Sequence, residues 1–241
     1  MLNSKLTFTA ITLWSYFEMI PVRLRRLIFH FLLPFQFPEK IGLRTACVWL
    51  LELCCYLFDL IGLPEVLQIG HEWVKWNSRP LNDEERRIAR EVFGESLHLH
   101  RIRIDEHARI GTRRRRLSYV SFYIINTWAP MRPEILVHEL VHVLQYQMLG
   151  AVYIPRALLA QRTRRGYNYG GSQLLGRVVK RGRHAGMFNL EQQADIVQDF
   201  YRLKNGLPAK WGSAKPADLP WYEKFVSDLT TVRPGFKILS L

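Results

Sequence analysis

Residues 133–150 read Pro-Glu-Ile-Leu-Val-His-Glu-Leu-Val-His-Val-Leu-Gln-Tyr-Gln-Met-Leu-Gly, and the rest of the chain is read outward from them. They predict one buried helix. Pro133 suits the first helical position, Glu134 complements the positive helix start, and Gly150 is a natural stop. Inside the helix lies His138-Glu139-Leu140-Val141-His142, an H-E-x-x-H pattern. Histidines at i and i+4 share one helix face, so both imidazoles can reach a single zinc ion. Glu139 sits beside that face, where its carboxylate can hold a water without ligating the metal. Two histidines and a glutamate are costly to bury in so apolar a helix unless they have a task.

A catalytic zinc needs a third protein ligand and an open fourth position. The best candidate is Glu191, in Asn189-Leu190-Glu191-Gln192-Gln193-Ala194-Asp195, which reads as the start of a second helix. Glu191 and Asp195 are again i and i+4. Glu191 then ligates the metal, and Asp195 orients a ligand histidine through its other ring nitrogen. H-E-x-x-H followed downstream by E-x-x-x-D resembles the gluzincin arrangement of zinc metallopeptidases. Forty-eight residues separate His142 from Glu191, room for a loop and one further element.

At 241 residues, 48% of them hydrophobic and 23% charged, the chain has the composition of a globular protein with one good core. The net charge of +13 is unevenly placed: residues 109–184 carry fourteen basic and two acidic side chains, while the other segments are near balance. Such a basic surround can steer acidic substrates toward the site. It also motivates a basic protein binding nucleic acid or anionic lipid, with Arg113 to Arg116 as its core. Few aromatics interleave with that run and no nucleic-acid motif is recognisable, so nucleic acid is the weaker partner. Cys47, Cys54 and Cys55 are too few and too clustered for a disulfide framework, and they read as small buried hydrophobes.

Residues 1–20 carry an apolar run interrupted by Glu18, with no convincing small-x-small cleavage site. Residues 21–38 mix three arginines with a rich apolar set, fitting either an anionic membrane surface or an amphipathic element on the core. Residues 43–63 are long enough to span a bilayer, yet Arg44, Glu52 and Asp59 recur at spacings of eight and seven, on one side of a helix. That polar stripe argues for a helix packed on protein or lying at an interface. Peripheral membrane contact through residues 1–63 is therefore one expectation. A further helix starts at Pro64 and runs to about Trp76.

Residues 77–80 read as a linker. Asn82 and Glu85 then make a capping box for a helix ending at Gly94, with Ile88, Ala89, Val92 and Phe93 as its buried face. Leu97 to Ile104 alternates as a strand with a phase shift near Arg101, and His98 and His100 face solvent. Arg109 to Arg116 reads as an exposed turn, and Ser118 to Asn126 as a strand. Tyr153 to Gly186 is poorly patterned, and its Tyr-Asn-Tyr-Gly-Gly at 167–171 reads as a flexible loop. Tyr167, Tyr169 and His184 are each able to donate to an oxyanion beside the metal, and nothing in the sequence selects among them. Leu190, Ala194, Val197 and Tyr201 form a helical stripe stopped by Gly206, and a short helix lies near Trp221 to Leu229.

Arg79-Pro80-Leu81, Val92-Phe93-Gly94, His138-Glu139-Leu140-Val141-His142 and Glu191-Gln192-Gln193-Ala194-Asp195 together resemble a bacterial zinc metallopeptidase family, the core domain associated with extracellular contractile injection systems. The resemblance spans roughly residues 78–205. It implies an α+β fold: a small zincin-like domain with an active-site helix beside a short β-sheet. In such folds the strand before the helix commonly forms the edge along which an extended peptide binds. The resulting division is a hydrophobic helical region at 1–77, the zincin-like domain at 78–205 and a C-terminal extension at 206–241. The expected activity is zinc-dependent peptide hydrolysis with one Zn2+, ligands His138, His142 and Glu191, Glu139 as general base, and a peptide or acidic protein as substrate. Cytoplasmic, membrane-peripheral and specialised-export locations all fit. An inactive zinc-binding accessory protein of a secretion or toxin system is the alternative.

Overall fold

A computed structural model describes residues 2–36, 42–75, 77–108, 117–182 and 185–231. The H-E-x-x-H stretch is its central helix. That helix, Pro133–Leu149, has Pro133 in its first turn and Gly150 at its C-cap, and it is buried on every side. Along it, Leu136, Val137, Leu140, Val141, Val143 and Leu144 are each no more than 2% exposed, so no side of the helix is left for solvent. In chain order the helices are α1 Leu2–Gln36, α2 Leu43–Leu60, α3 Leu63–Val74, α4 Asp83–Phe93, α5 Pro133–Leu149, α6 Tyr153–Gln161, α7 Gly171–Lys180, α8 Leu190–Lys204 and α9 Leu219–Thr230. The strands are β1 Ser78–Pro80, β2 Arg103–Asp105, β3 Tyr119–Ser121 and β4 Ile124–Asn126. The fold is thus α+β, mostly helical around a small mixed sheet.

The sheet runs β1-β2-β4-β3, antiparallel at both ends and parallel between β2 and β4. Ile104 and Ile125 pair at its centre and are fully buried. Three expectations change here. Residues 77–80 are not a bare linker: Ser78–Pro80 form an end strand of the sheet, the kind of place where proline's missing N–H costs least. Leu97 to Ile104 is not one bulged strand. A 3-10 turn, Leu99–Arg101, precedes β2, because Arg101 turns inward to lay its guanidinium 4.0 Å over the Tyr123 ring. Ser118 to Asn126 is two strands, folded back at Phe122, whose φ of +63° supplies the left-handed step of a tight hairpin. His98 and His100 are exposed, as expected.

The poorly patterned stretch Tyr153 to Gly186 holds α6 and α7, and residues 162–170 between them form the loop expected around 167–171. The two helices are only nine and ten residues long, and apart from Leu175 their inward positions are mostly small, Ala157, Ala160 and Gly176 among them, so little apolar period shows. The capping box expected at Asn82–Glu85 is formed, and a second, Asn189–Gln192, opens α8. α5 and α8 pack along each other, and α9 closes the far side of α8. Tyr222, Phe225, Val226 and Leu229 of α9 join the same core as α5 and α8, so the residues after 206 help to build it.

Buried charge holds α1 to α3, and α2 and α3 to this core. Arg23 forms a two-pronged pair with Glu65, Arg156 of α6 another with Glu52 at 2.7 and 2.8 Å, and Arg103 of β2 meets Glu72 at 3.2 Å. Asp59 accepts the Ala151 N–H at 2.9 Å just beyond the end of α5. Gly150 is required there twice over: its φ is +77°, and a Cβ would stand 2.0 Å from the Asp59 carboxylate. Glu52 and Asp59 therefore face protein, whereas Arg44 is exposed.

Candidate metal centre

Helical spacing puts His138 and His142 one above the other on α5, and the Asn189 cap places Glu191 in the first turn of the facing helix α8. The three meet. His138 Nε2 and His142 Nε2 are 3.2 Å apart, and Glu191 Oε2 lies 3.5 Å from the first and 3.3 Å from the second. In a tetrahedral zinc site with bonds of 2.0–2.1 Å, neighbouring ligand atoms stand about 3.3–3.4 Å apart. The triangle has that size. Among the described residues it is the one such group of three buried ligand side chains.

The outer atoms of each ligand are held so that the inner ones stay bare. His142 Nδ1 lies 2.8 Å from Gln145 Oε1, while the Gln145 amide nitrogen donates to Leu190 O at 2.9 Å and Gln193 Oε1 at 3.1 Å. Those two acceptors fix which way the amide points. Its oxygen faces His142, so Nδ1 carries the proton and Nε2 presents a lone pair. His138 Nδ1 lies 2.9 Å from Asp195 Oδ1, which fixes the second ring in the same sense. Glu191 Oε1 accepts from Gln161 Nε2 at 2.8 Å, and Oε2, also buried, has no hydrogen-bond partner. Three converging electron pairs repel one another unless a cation or a proton lies between them.

The titration of the metal-free cluster carries the same message. Burial disfavours an imidazolium at His138, but Asp195 and Glu191 outweigh it and raise the ring to about 10. His142 is raised as well, burial being overcome by Glu191. Burial works to raise Glu191, yet His142 and His138 hold it well below the usual carboxylate range. A positive charge is wanted at the centre of the triangle, and a divalent ion can take the place of the protons.

Glu139 lies beside the ligands, 5% exposed, with Oε2 unpartnered and its pKa pushed up by burial. Both it and the triangle line a cleft of about 920 Å³. One side of that cleft is β3, the end strand of the sheet. In a two-residue hairpin closed by Ser121 and Ile124, the alternation turns the Val120 N–H and C=O away from β4. The Val120 carbonyl instead takes a long bond of 3.4 Å from the Tyr153 hydroxyl. α6 also lines the cleft, with Ile154, Ala157 and Leu158.

Of the three proposed oxyanion donors, Tyr167 lines the cleft, its ring 6.1 Å from that of His138. Burial, then Glu191 and Glu139, keep its phenol protonated. Tyr169 is not at the site. It is 1% exposed, donates to Asp199 at 2.7 Å and shares a 2.8 Å bond with Tyr222. His184 and the Arg109 to Arg116 run lie outside the described residues. Asp195 also receives the Trp211 indole N–H and pairs with Lys210 Nζ at 3.0 Å, and both of those residues line the cleft.

Four contributors were not anticipated. Gln145 and Gln161 orient ligands, and Lys210 and Trp211 hold Asp195. Gln145 was within reach of sequence reasoning, because it follows His142 by three residues on one helix face. Gln161 and the 210–211 pair reach the site through tertiary packing and left no local signal. Comparison with family models, with curated proteins and with solved structures finds no match to this chain.

Proposed function

We propose that the chain is a zinc-dependent metallopeptidase that cleaves extended peptide segments laid against β3. The observation that carries this reading is the tetrahedral-sized triangle of His138 Nε2, His142 Nε2 and Glu191 Oε2 beside the unpartnered Glu139 carboxylate. Two histidines and a carboxylate with room for further ligands are a donor set that suits catalytic zinc. A zinc ion held there supplies Lewis acidity, lowering the pKa of water and polarising a carbonyl.

The remaining work falls to the chain's own residues. The Val120 N–H and C=O pair with the backbone of a substrate in extended form, so it is held largely independently of its side chains. Glu139 takes a proton from the attacking water as the new C–O bond forms, then delivers it to the amide nitrogen as the C–N bond breaks. Its raised pKa suits a group that must both accept and release that proton. The Tyr167 phenol, kept protonated, is a donor toward charge developing on the carbonyl oxygen.

The test is a paired measurement of zinc content and peptide cleavage in the wild type and Glu139→Gln. The expected result is one zinc in each protein, with cleavage of a mixed peptide library reduced at least about 100-fold in the variant. A folded wild type that takes up no zinc, or a variant that cleaves at full rate, overturns the reading.

A further inference from the structure

The N-terminal helices are built inside out. Of the twenty-seven large apolar side chains that stand exposed among the described residues, twenty lie within residues 2–74. Among the described residues of that stretch only Glu18, Arg25 and Arg44 are exposed charges, while Arg23, Glu52, Asp59, Glu65 and Glu72 are buried. A soluble helix pair shows the opposite arrangement. The pattern is regular. On α1 the outward positions include Leu6, Leu13, Phe17, Leu24, Ile28 and Leu32, and on α2 Leu43, Leu50 and Leu57 recur every seventh residue; between them Cys47 and Cys54, expected from the sequence to be buried, are exposed. α3 adds Val66, Leu67, Trp73 and Val74.

We infer that α1–α3 form a surface that seats the protein in one leaflet of a bilayer containing anionic lipid. Three observations favour lipid over a protein partner. The apolar positions spread over three helices, one of them 35 residues and so about 50 Å long, which is broader than a coiled-coil seam. Protein interfaces keep a polar rim and many hydrogen bonds, and this face has three charges. Charge sign supplies the third. The four acidic side chains of α2 and α3 all turn toward protein, while Arg25 and Arg44 stay outside. α6, pinned to α2 by Arg156 and Glu52, carries exposed Leu158 and Leu159 followed by exposed Arg162, Arg164 and Arg165.

Seating rather than crossing fits the helices themselves. Among the described residues no single helix is long and apolar enough to cross a membrane, although α2 and α3 together, bent by 64°, pass on length and composition. The inward charges of these two helices are engaged with the rest of the fold, which leaves their outer face for lipid. An amphipathic layer lying along the headgroup boundary satisfies both faces.

Flotation of the purified full chain with phosphatidylcholine vesicles, with and without phosphatidylserine, tests this. The expected result is co-flotation, strengthened by phosphatidylserine and weakened by salt, and roughly a 100-fold lower partition for Leu13→Glu/Phe17→Glu/Leu50→Glu/Leu57→Glu. Those four positions face outward, so the variant should keep the wild-type circular dichroism. A measurement on a milder substitution stands beside it: quenching of tryptophan emission by brominated acyl chains should fall in Trp14→Phe. A wild type that stays with the protein fraction and shows no such quenching overturns the inference. So does a lipid-independent dimer that the quadruple variant makes monomeric, because a second copy would then cover the face. Neither outcome bears on the zinc site, which is tested separately.

Discussion

Gln145 is the residue whose removal best tests how the metal centre is held. Its side chain is fully buried and makes three contacts: it accepts from His142 Nδ1 and donates to Leu190 O and Gln193 Oε1. It therefore aims one ligand and ties the ligand helix α5 to the start of α8, where Glu191 sits. Gln145→Leu keeps the volume and removes all three. A buried polar group left unsatisfied costs about 1–3 kcal/mol. With three such groups, partly relaxed by neighbours, the folded state should lose at least about 2 kcal/mol. Loss of the group that orients a ligand histidine lowers metal affinity by about 10–100-fold, a further 1.4–2.7 kcal/mol of binding. Competition against a chromophoric zinc chelator reads the affinity, and denaturant unfolding of the metal-free protein reads the stability. Gln145→Glu separates the two effects: a carboxylate still accepts from His142 but cannot donate to Leu190 O. It should bind zinc close to the wild-type level and remain destabilised. Wild-type zinc affinity in Gln145→Leu would refute the idea that the glutamine sets the tautomer of His142.

Tyr167→Phe should lower kcat by about 100-fold with little change in stability, whereas Tyr169→Phe should cost about 1–3 kcal/mol of stability and leave kcat alone, because its hydroxyl serves Asp199 and Tyr222. Steady-state kinetics beside denaturant unfolding check the pair, and the reverse assignment would return Tyr169 to the site. The raised pKa of His138, about 10, means that the metal-free cluster is protonated at neutral pH, so zinc must displace protons. Affinity should then weaken as pH falls, by about tenfold per pH unit for each proton displaced, and calorimetry in buffers of different ionisation enthalpy should show proton release at pH 7. Affinity independent of pH between 6 and 8 would contradict the idea that zinc displaces protons from the His138–His142–Glu191 cluster.

What could be read from the sequence was whatever is local. Pro133, Gly150, Asn82 with Glu85, and Asn189 with Gln192 act within one turn of themselves, and each helix they bound is present. The i and i+4 spacings also transfer directly into space, so His138 and His142 share a face, as do Glu191 and Asp195. Sheet pairing is not local. Three-residue strands give alternation too little length to be recognised, and the hairpin at Phe122 carries no glycine to mark it. α6 and α7 were hidden for a different reason: both are short, and their inward positions are mostly small residues such as Ala157, Ala160 and Gly176, which barely mark an apolar period. Gln161 and Trp211 reach the ligands across 30 and 16 positions of chain, a distance that no spacing rule covers.

The stripe of Arg44, Glu52 and Asp59 shows what periodicity leaves undecided. Spacing places these residues on one side of α2, but it says nothing about which environment that side meets. In the fold, Glu52 and Asp59 meet Arg156 and the Ala151 N–H, and the apolar side is the one left outside. The consequence is energetic as well as geometric. A buried ion pair is weak as a source of net stability, yet removing one partner leaves an uncompensated charge and costs about 3–5 kcal/mol. Such pairs therefore fix where α1–α3 sit more strongly than they favour folding. Apolar contacts could have joined these helices to the core in several registers, because hydrophobic burial is non-directional. The two-pronged pair of Arg156 on α6 with Glu52 on α2 admits one, and Arg23–Glu65 fixes α1 on α3 in the same way. The polar side thus sets position, and the apolar side is left free to meet lipid. The same α2 charge that touches the end of α5, Asp59 at Ala151, links that outward-facing layer to the helix carrying both histidines.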